Sequence, residues 1–231
     1  MADVELFWDP VCPFCWVTSK WVRQVQEVRD LDVDWRLISL RFLNEPIGYD
    51  DRPAFYPAVH ARGTELLRVA ASVREAHGRE AMGPLYEALG DLLWETPAPE
   101  MSSGEDMAAH QLRDLDLPAV LARLDLDPAH AAAADDDGHD EAIRAETAEA
   151  TERVGGDVGT PIITFGPPDG PSFFGPVISD VSPTPEDAAE AWDALATLAR
   201  WPGFSELKRT LRSIPVTALT ASLAGETTRM R

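Results

Sequence analysis

Cys12-Pro13-Phe14-Cys15 holds the only two cysteines of the chain, and their position limits the fold more than any other feature. They follow an alternating apolar run, Val4, Leu6 and Trp8, that ends at Asp9-Pro10, and they open a segment to Val28 with helical spacing. Strand, turn, Cys-x-x-Cys, helix is the order of a dithiol redox motif. Proline suits the first helical turn, because the N–H it lacks has no partner there. A thiol at this position meets unpaired backbone N–H groups and the positive end of the helix dipole, and both favour the thiolate.

Other uses of a close cysteine pair fit less well. A bridge across two residues closes almost the smallest possible loop, so it restrains the unfolded chain little. A structural zinc site wants four ligands, and neither a second cysteine pair nor a His-x-x-x-His spacing accompanies the first; apart from His77, the histidines, 60, 110, 130 and 139, form no ligand set. No phosphate loop or dinucleotide-binding glycine pattern occurs. The expectation is therefore no bound metal and no resident cofactor. The N-terminus shows no basic region followed by a long apolar run, and no apolar stretch reaches the length of a membrane span. The expected location is the cytoplasm, where thiols are kept reduced.

Forty acidic against twenty basic side chains give a net charge of −20. That balance argues against nucleic acid and anionic membrane surfaces as partners. It also disfavours anionic substrates, unless the potential local to the cysteines reverses the field.

Periodicity sets the organisation. A β-α-β unit is predicted over Asp3 to Leu40, with Val33, Trp35 and Leu37 on one face of its second strand, and a right-handed crossover makes the pair parallel. A strandless block follows, with helices over Arg52–Ala76 and Arg79–Trp94 and a capping box at Ser102-Ser103-Gly104-Glu105. An alanine-rich helix is expected from Asp127-Pro128 to Val154. Strands return at Pro161–Phe165 and Ser172–Phe174 around the turn signal Gly166-Pro167-Pro168-Asp169-Gly170. A helix opens at Thr184-Pro185, one or two further turns are expected over Phe204–Leu211, and the Ser/Thr/Ala-rich remainder reads as a loose tail. The order β-α-β, helices, β-β-α predicts an α/β thioredoxin fold carrying a large inserted helical domain. Its expected parts are 1–48, the first half; 49–154, the insertion; 155–212, the second half; and 213–231, the tail.

Thiol–disulfide exchange needs an attacking thiolate and a second thiol that resolves the mixed disulfide. Cys12, at the open first turn, is the candidate nucleophile; Cys15, one turn deeper, is the candidate resolving thiol. Gly159-Thr160-Pro161 precedes a strand, where a proline is tolerated for sheet reasons alone. In a thioredoxin fold the same place holds a cis proline facing the cysteines, and Thr160 would offer its backbone to a sulfur-bearing substrate. Pro13, Phe14 and Trp16 are the neighbours that would shape a substrate pocket. Asn44 reads equally as a pocket hydrogen-bonder or as a turn residue. His77 reads as a helix C-cap before Gly78.

The chain resembles the mycothiol-dependent nitroreductase and disulfide-oxidoreductase group of the DsbA-like thioredoxin superfamily. The resemblance lies in Phe7-Trp8-Asp9-Pro10, Cys12-Pro13 and Cys15-Trp16-Val17-Thr18-Ser19-Lys20-Trp21. It continues in Ser39-Leu40, Leu43-Asn44-Glu45, Ala76-His77-Gly78 and Pro84-Leu85-Tyr86. It ends in Gly156-Asp157-Val158-Gly159-Thr160-Pro161, Phe173-Phe174-Gly175-Pro176-Val177 and Glu206-Leu207-Lys208-Arg209-Thr210. It implies mycothiol, a sugar-inositol thiol without a carboxylate, as low-molecular-weight thiol co-substrate, joined to Cys12 in a mixed disulfide. A small disulfide or nitroaromatic electrophile is the implied substrate. Phe14 stands where close relatives carry tryptophan, and Trp94 stands where relatives tend to carry histidine. Two other readings remain: a general protein disulfide oxidase or isomerase, and a redox sensor or chaperone-like binder using the acidic helices.

Overall fold

A computed structural model describes residues 2–98, 101–156, 158–223 and 227–229. Strand β1 (Val4–Trp8) is buried along its whole length. Val4, Leu6 and Trp8 join the main core, while Phe7 packs on the other face with Ile38, Ala150 and Ile162. Glu5, in the middle of the strand, is matched by Arg36 and Arg153. The alternation read from the sequence is thus that of a central strand covered on both faces.

Helix α1 (Pro13–Val28) returns the chain to β2 (Val33–Leu37), which pairs parallel to β1 with Val4 opposite Val33. After the helical insertion, β3 (Ile162–Phe165) runs antiparallel to β1 with Phe7 opposite Ile162, and β4 (Ser172–Phe174) folds back on β3. The sheet order is β2-β1-β3-β4. This is a thioredoxin fold, and its register matters for function. Because β1 and β3 are antiparallel, the turn leaving β1 toward Cys12 lies beside the turn entering β3 through Pro161.

Between β2 and β3 lie α2 (Leu40–Asn44), α3 (Tyr56–His77), α4 (Met82–Trp94), α5 (Gly104–Gln111), α6 (Leu117–Arg123) and α7 (Asp140–Val154). Helix α8 (Pro185–Ala199) then packs on α1, with the Trp21 and Trp192 rings 5.5 Å apart. A two-stranded ribbon, β5 (Leu211–Ser213) with β6 (Thr227–Arg229), ends the described chain.

Three expectations are corrected. The alanine-rich helix begins only at Asp140; residues 128–135 and 137–139 are tighter 3-10 turns, separated at Asp136, whose carboxylate caps Gly138 N–H. No helix forms over 204–210. The tail expected to be loose from 213 is packed over its described part to 223: Leu219 and Leu223 are buried with Thr217 and Thr220. Two threonines hold this turn, since Thr217 N–H donates to the Thr220 hydroxyl and Thr220 N–H to the Thr217 hydroxyl. Side-chain bonds of this kind need no periodic apolar stripe. Pro99, Asp157 and the tail positions 224–226, 230 and 231 lie outside the described residues.

Candidate active site

Cys12 is the N-cap of α1, with extended backbone angles. Its sulfur accepts the Cys15 N–H at 3.3 Å, and its thiol reaches the Thr160 carbonyl at 3.8 Å. The Thr160-Pro161 peptide is cis. The Thr160 hydroxyl is buried and has no hydrogen-bond partner among the described residues. Both cysteines are free, 3.5 Å apart, with Cys12 5% and Cys15 0% exposed.

The two thiols are driven in opposite directions. Burial pushes Cys12 up, but the Cys15 thiol, the adjacent Thr160 and the Cys15 N–H together outweigh it and leave Cys12 below an ordinary cysteine. For Cys15, burial and then the neighbouring Cys12 raise the pKa well above the ordinary value. Of the two thiols, Cys12 is therefore the first to give up its proton.

The turn before Cys12 is held from several elements. Asp9 is fully buried; its carboxylate accepts Val11 N–H at 2.9 Å and Leu40 N–H at 2.7 Å. Burial raises its pKa to about 7 against the pull of those two bonds. Gly63 of α3 makes room for this group, since a Cβ there would lie 2.7 Å from Asp9 Oδ1 and 2.8 Å from Val11 Cγ2. The Trp94 indole donates to Pro10 O at 2.9 Å, and the buried Gln111 amide approaches Val11 O at 3.5 Å.

Pro13 occupies the first position of α1 and Phe14 follows it, 6% exposed. Trp16 turns away from the opening: it is 1% exposed, its indole N–H donates to Glu95 at 2.8 Å, and its ring meets Tyr86 edge-on at 5.9 Å. Asn44 is buried, and its amide donates to Leu40 O one turn back in α2 rather than to the thiols. Trp16 and Asn44 are thus part of the supporting structure, whereas Cys12, Cys15, Thr160 and Pro161 come together.

A protein-family model described as Rv2466c-like, mycothiol-dependent nitroreductase Rv2466c, matches residues 11–209. The chain belongs to this Rv2466c-like family. Membership makes it an oxidoreductase-type enzyme. Among curated proteins it is similar to the uncharacterized protein Rv2286c of Mycobacterium tuberculosis, 27% identical over 209 residues, covering 90% of this chain and 82% of that protein. Among solved structures it is similar to a probable DsbA oxidoreductase, SCO1869, of Streptomyces coelicolor. That likeness has 16% identity, a TM-score of 0.49, and covers 94% of this chain and 98% of the other. The cytosolic disulfide reductase DsbM of Pseudomonas aeruginosa gives 18% identity and a TM-score of 0.45, over 85% of this chain and 99% of that one.

Three residues of this Rv2466c-like site escaped the sequence reading. Asp9 was visible only as part of an Asp-Pro turn, although an acid closing an apolar strand is a signal for a buried carboxyl. Glu95 ties α1 to the C-terminal segment, accepting from Trp16, from Lys20 at 2.8 Å and from Ala218 N–H at 3.0 Å. Arg212, beyond the span matched by the family, lies with its guanidinium 6.0 Å from the Phe14 ring and 5.8 Å from the Phe174 ring. Nothing in local spacing announces either contact. Among the described residues no helix is long and apolar enough to cross a membrane.

Proposed function

We propose that the protein is a cytoplasmic, mycothiol-coupled reductase of small disulfides or nitroaromatic electrophiles, in which Cys12 attacks and Cys15 resolves. The observation that carries this reading is the split between the two thiols. One sulfur is held at a helix N-cap by an N–H and lowered in pKa, and its neighbour is fully buried and raised. A pair so divided fixes the order of events, with Cys12 the first sulfur to attack and Cys15 the one that resolves.

In the first step the Cys12 thiolate attacks one sulfur of a disulfide, forming a mixed disulfide and releasing the other sulfur as thiolate. Cys15 then loses its proton and attacks the Cys12 sulfur, releasing the second thiolate and leaving the Cys12–Cys15 disulfide. Two electrons pass from the dithiol to the substrate. Two mycothiol molecules restore the dithiol and become one disulfide, through a mixed disulfide at Cys12. For a nitro compound the same two electrons, with two protons, give a nitroso product and water. The family description supports mycothiol as the thiol. Thr160 and Pro161 are proposed to receive the sulfur-bearing partner, a role favoured by the buried hydroxyl that lacks a partner. Phe14 and Pro13 would form the adjoining wall.

The near-complete burial of Cys12 favours small substrates over folded proteins. The test is intact mass of the Cys15→Ser protein after exposure to oxidised mycothiol. One mycothiol adduct, absent when Cys12 is also serine, is the expected result. A protein that takes up a generic small disulfide at Cys12 but never mycothiol would remove mycothiol from the proposal. Unchanged turnover in Cys12→Ser would remove the rest.

A further inference from the structure

The Tyr86 hydroxyl is buried without a hydrogen-bond partner among the described residues. Tyr86 is fully buried, and its ring is fixed from three sides: it stacks on Trp8 at 4.0 Å and 13°, and it meets Trp16 at 5.9 Å and Trp35 at 5.8 Å edge-on. A phenylalanine would fill the same place without burying an unsatisfied oxygen. An orphaned group of this kind calls for a use.

Its surroundings point to the second thiol. Trp8 ends β1 just before the turn that leads to Cys12, and Trp16 follows Cys15 in α1. Ser19, one helical turn beyond Cys15 on the same face of α1, lies near the Tyr86 hydroxyl, while its own hydroxyl donates to Trp16 O at 2.7 Å. Burial pushes the Tyr86 pKa well above the ordinary value, and the Cys15 and Cys12 sulfurs push it further, against the pull of Arg23 and Ser19. The phenol therefore keeps its proton, and toward an anion it is a donor and never a base. Cys15 is the sulfur that needs one. It is fully buried. Burial and Cys12 hold its thiol well above an ordinary cysteine, against the pull of the adjacent Thr160 and the Asp9 backbone.

We infer that the Tyr86 hydroxyl donates a hydrogen bond to the Cys15 sulfur as that sulfur becomes an anion in the resolving step. The inference rests on the reading of Cys15 as the resolving thiol. In the resting dithiol Cys15 is neutral, and the phenol has no bond to give up. Once Cys12 is held in a mixed disulfide, Cys15 gives up its proton, its sulfur bonds to the Cys12 sulfur, the mixed disulfide breaks, and the departing thiolate takes up a proton. A donor already in place where the charge develops lowers the barrier to this step. Tyr86 itself transfers no proton.

Reaction of the reduced protein with 2,2′-dithiodipyridine separates the two steps. Cys12 thiolate displaces the first pyridinethiolate at a rate proportional to reagent, Cys15 displaces the second at a rate independent of it, and both are counted by absorbance. In Tyr86→Phe the first step should keep the wild-type rate and the second should slow about three- to tenfold: a hydrogen bond to a charged sulfur is lost, and the more basic thiolate recovers part of the difference through its higher nucleophilicity. The urea midpoint should stay the same or rise, because the variant buries one unsatisfied group fewer. An unchanged second step overturns the assignment of Tyr86. Equal slowing of both steps, or a lowered midpoint, overturns it too, since either would make the hydroxyl a structural group. Release of the second pyridinethiolate by Cys15→Ser at the wild-type rate instead overturns the reading of Cys15, whatever Tyr86→Phe does.

Discussion

The Trp94 indole donates to the carbonyl of Pro10 at 2.9 Å, so the last turn of α4 pins the loop that delivers Cys12 to its helix. Both groups are buried. Trp94→Phe keeps an aromatic ring but leaves the Pro10 carbonyl without its donor, a loss of about 1–3 kcal/mol for a buried acceptor. The urea midpoint should fall accordingly. The pH profile of Cys12 alkylation should also move toward that of an ordinary thiol, because the turn is no longer fixed against the Cys15 N–H. A profile and midpoint both unchanged would mean that this bond does not hold the turn.

Helix α1 also depends on an absence of atoms. A Cβ at Gly90 would penetrate the Trp16 ring, and that ring is 1% exposed with its N–H committed to Glu95. It has no free volume to enter. Gly90→Ala should destabilise the fold by about 3 kcal/mol or more, at the upper end for overpacking, even though alanine is the better helix former. Thermal melting separates the two influences: a rise in Tm would show that helix propensity dominates and that the Trp16 ring yields.

The C-terminal segment gives a third expectation. Leu219 is 1% exposed, and its N–H donates to Trp94 O at 2.9 Å, while the preceding Ala218 N–H meets Glu95. Leu219→Ala removes a buried side chain at a cost of about 2–5 kcal/mol. Since the segment is anchored by few side chains, much of that loss should appear as local release. Hydrogen exchange at Val216, Ala218 and Leu219 should accelerate more than exchange in β1 or β3. Uniform acceleration throughout would show instead that the segment and the core unfold together.

What was legible in the sequence was local. The β-α-β start, the cysteine pair at a helix opening and the β3–β4 hairpin each depend on residues a few positions apart, where period and turn chemistry act directly. The supports of the site are long-range: Trp94 to Pro10 spans 84 positions and Trp16 to Glu95 spans 79. The tail was misread because threonine hydroxyls and two leucines hold it, and neither leaves a periodic trace. Asn44 had two readings of equal standing until its amide was seen turned back onto Leu40. Nothing in the local spacing set Arg212 apart; only the fold brings its guanidinium to within 6.0 Å of the Phe14 ring.

Asp9 makes the sharpest pH prediction. Burial raises its pKa from 3.8 to about 7. Below the lower value both folded and unfolded chains hold the proton, and Asp9 adds no pH dependence. Between the two values the unfolded chain has lost a proton that the folded chain keeps, so stability falls as pH rises; above about 7 the loss levels off. The full change is on the order of 4 kcal/mol. Asp9→Asn has no such titration, but it keeps only one acceptor for the Val11 and Leu40 N–H groups, a penalty of about 1–3 kcal/mol that does not vary with pH. Measured side by side by urea unfolding, the variant should be the weaker protein at pH 4 and should gain on the wild type steadily toward pH 8. Ionised Asp9 also opposes the Cys12 thiolate, so alkylation of Cys12 in Asp9→Asn should reach half its maximal rate at a lower pH. A constant stability difference from pH 4 to 8, with an unshifted alkylation profile, would show that the Asp9 carboxyl ionises as it does in water and that its burial has no bearing on the thiol.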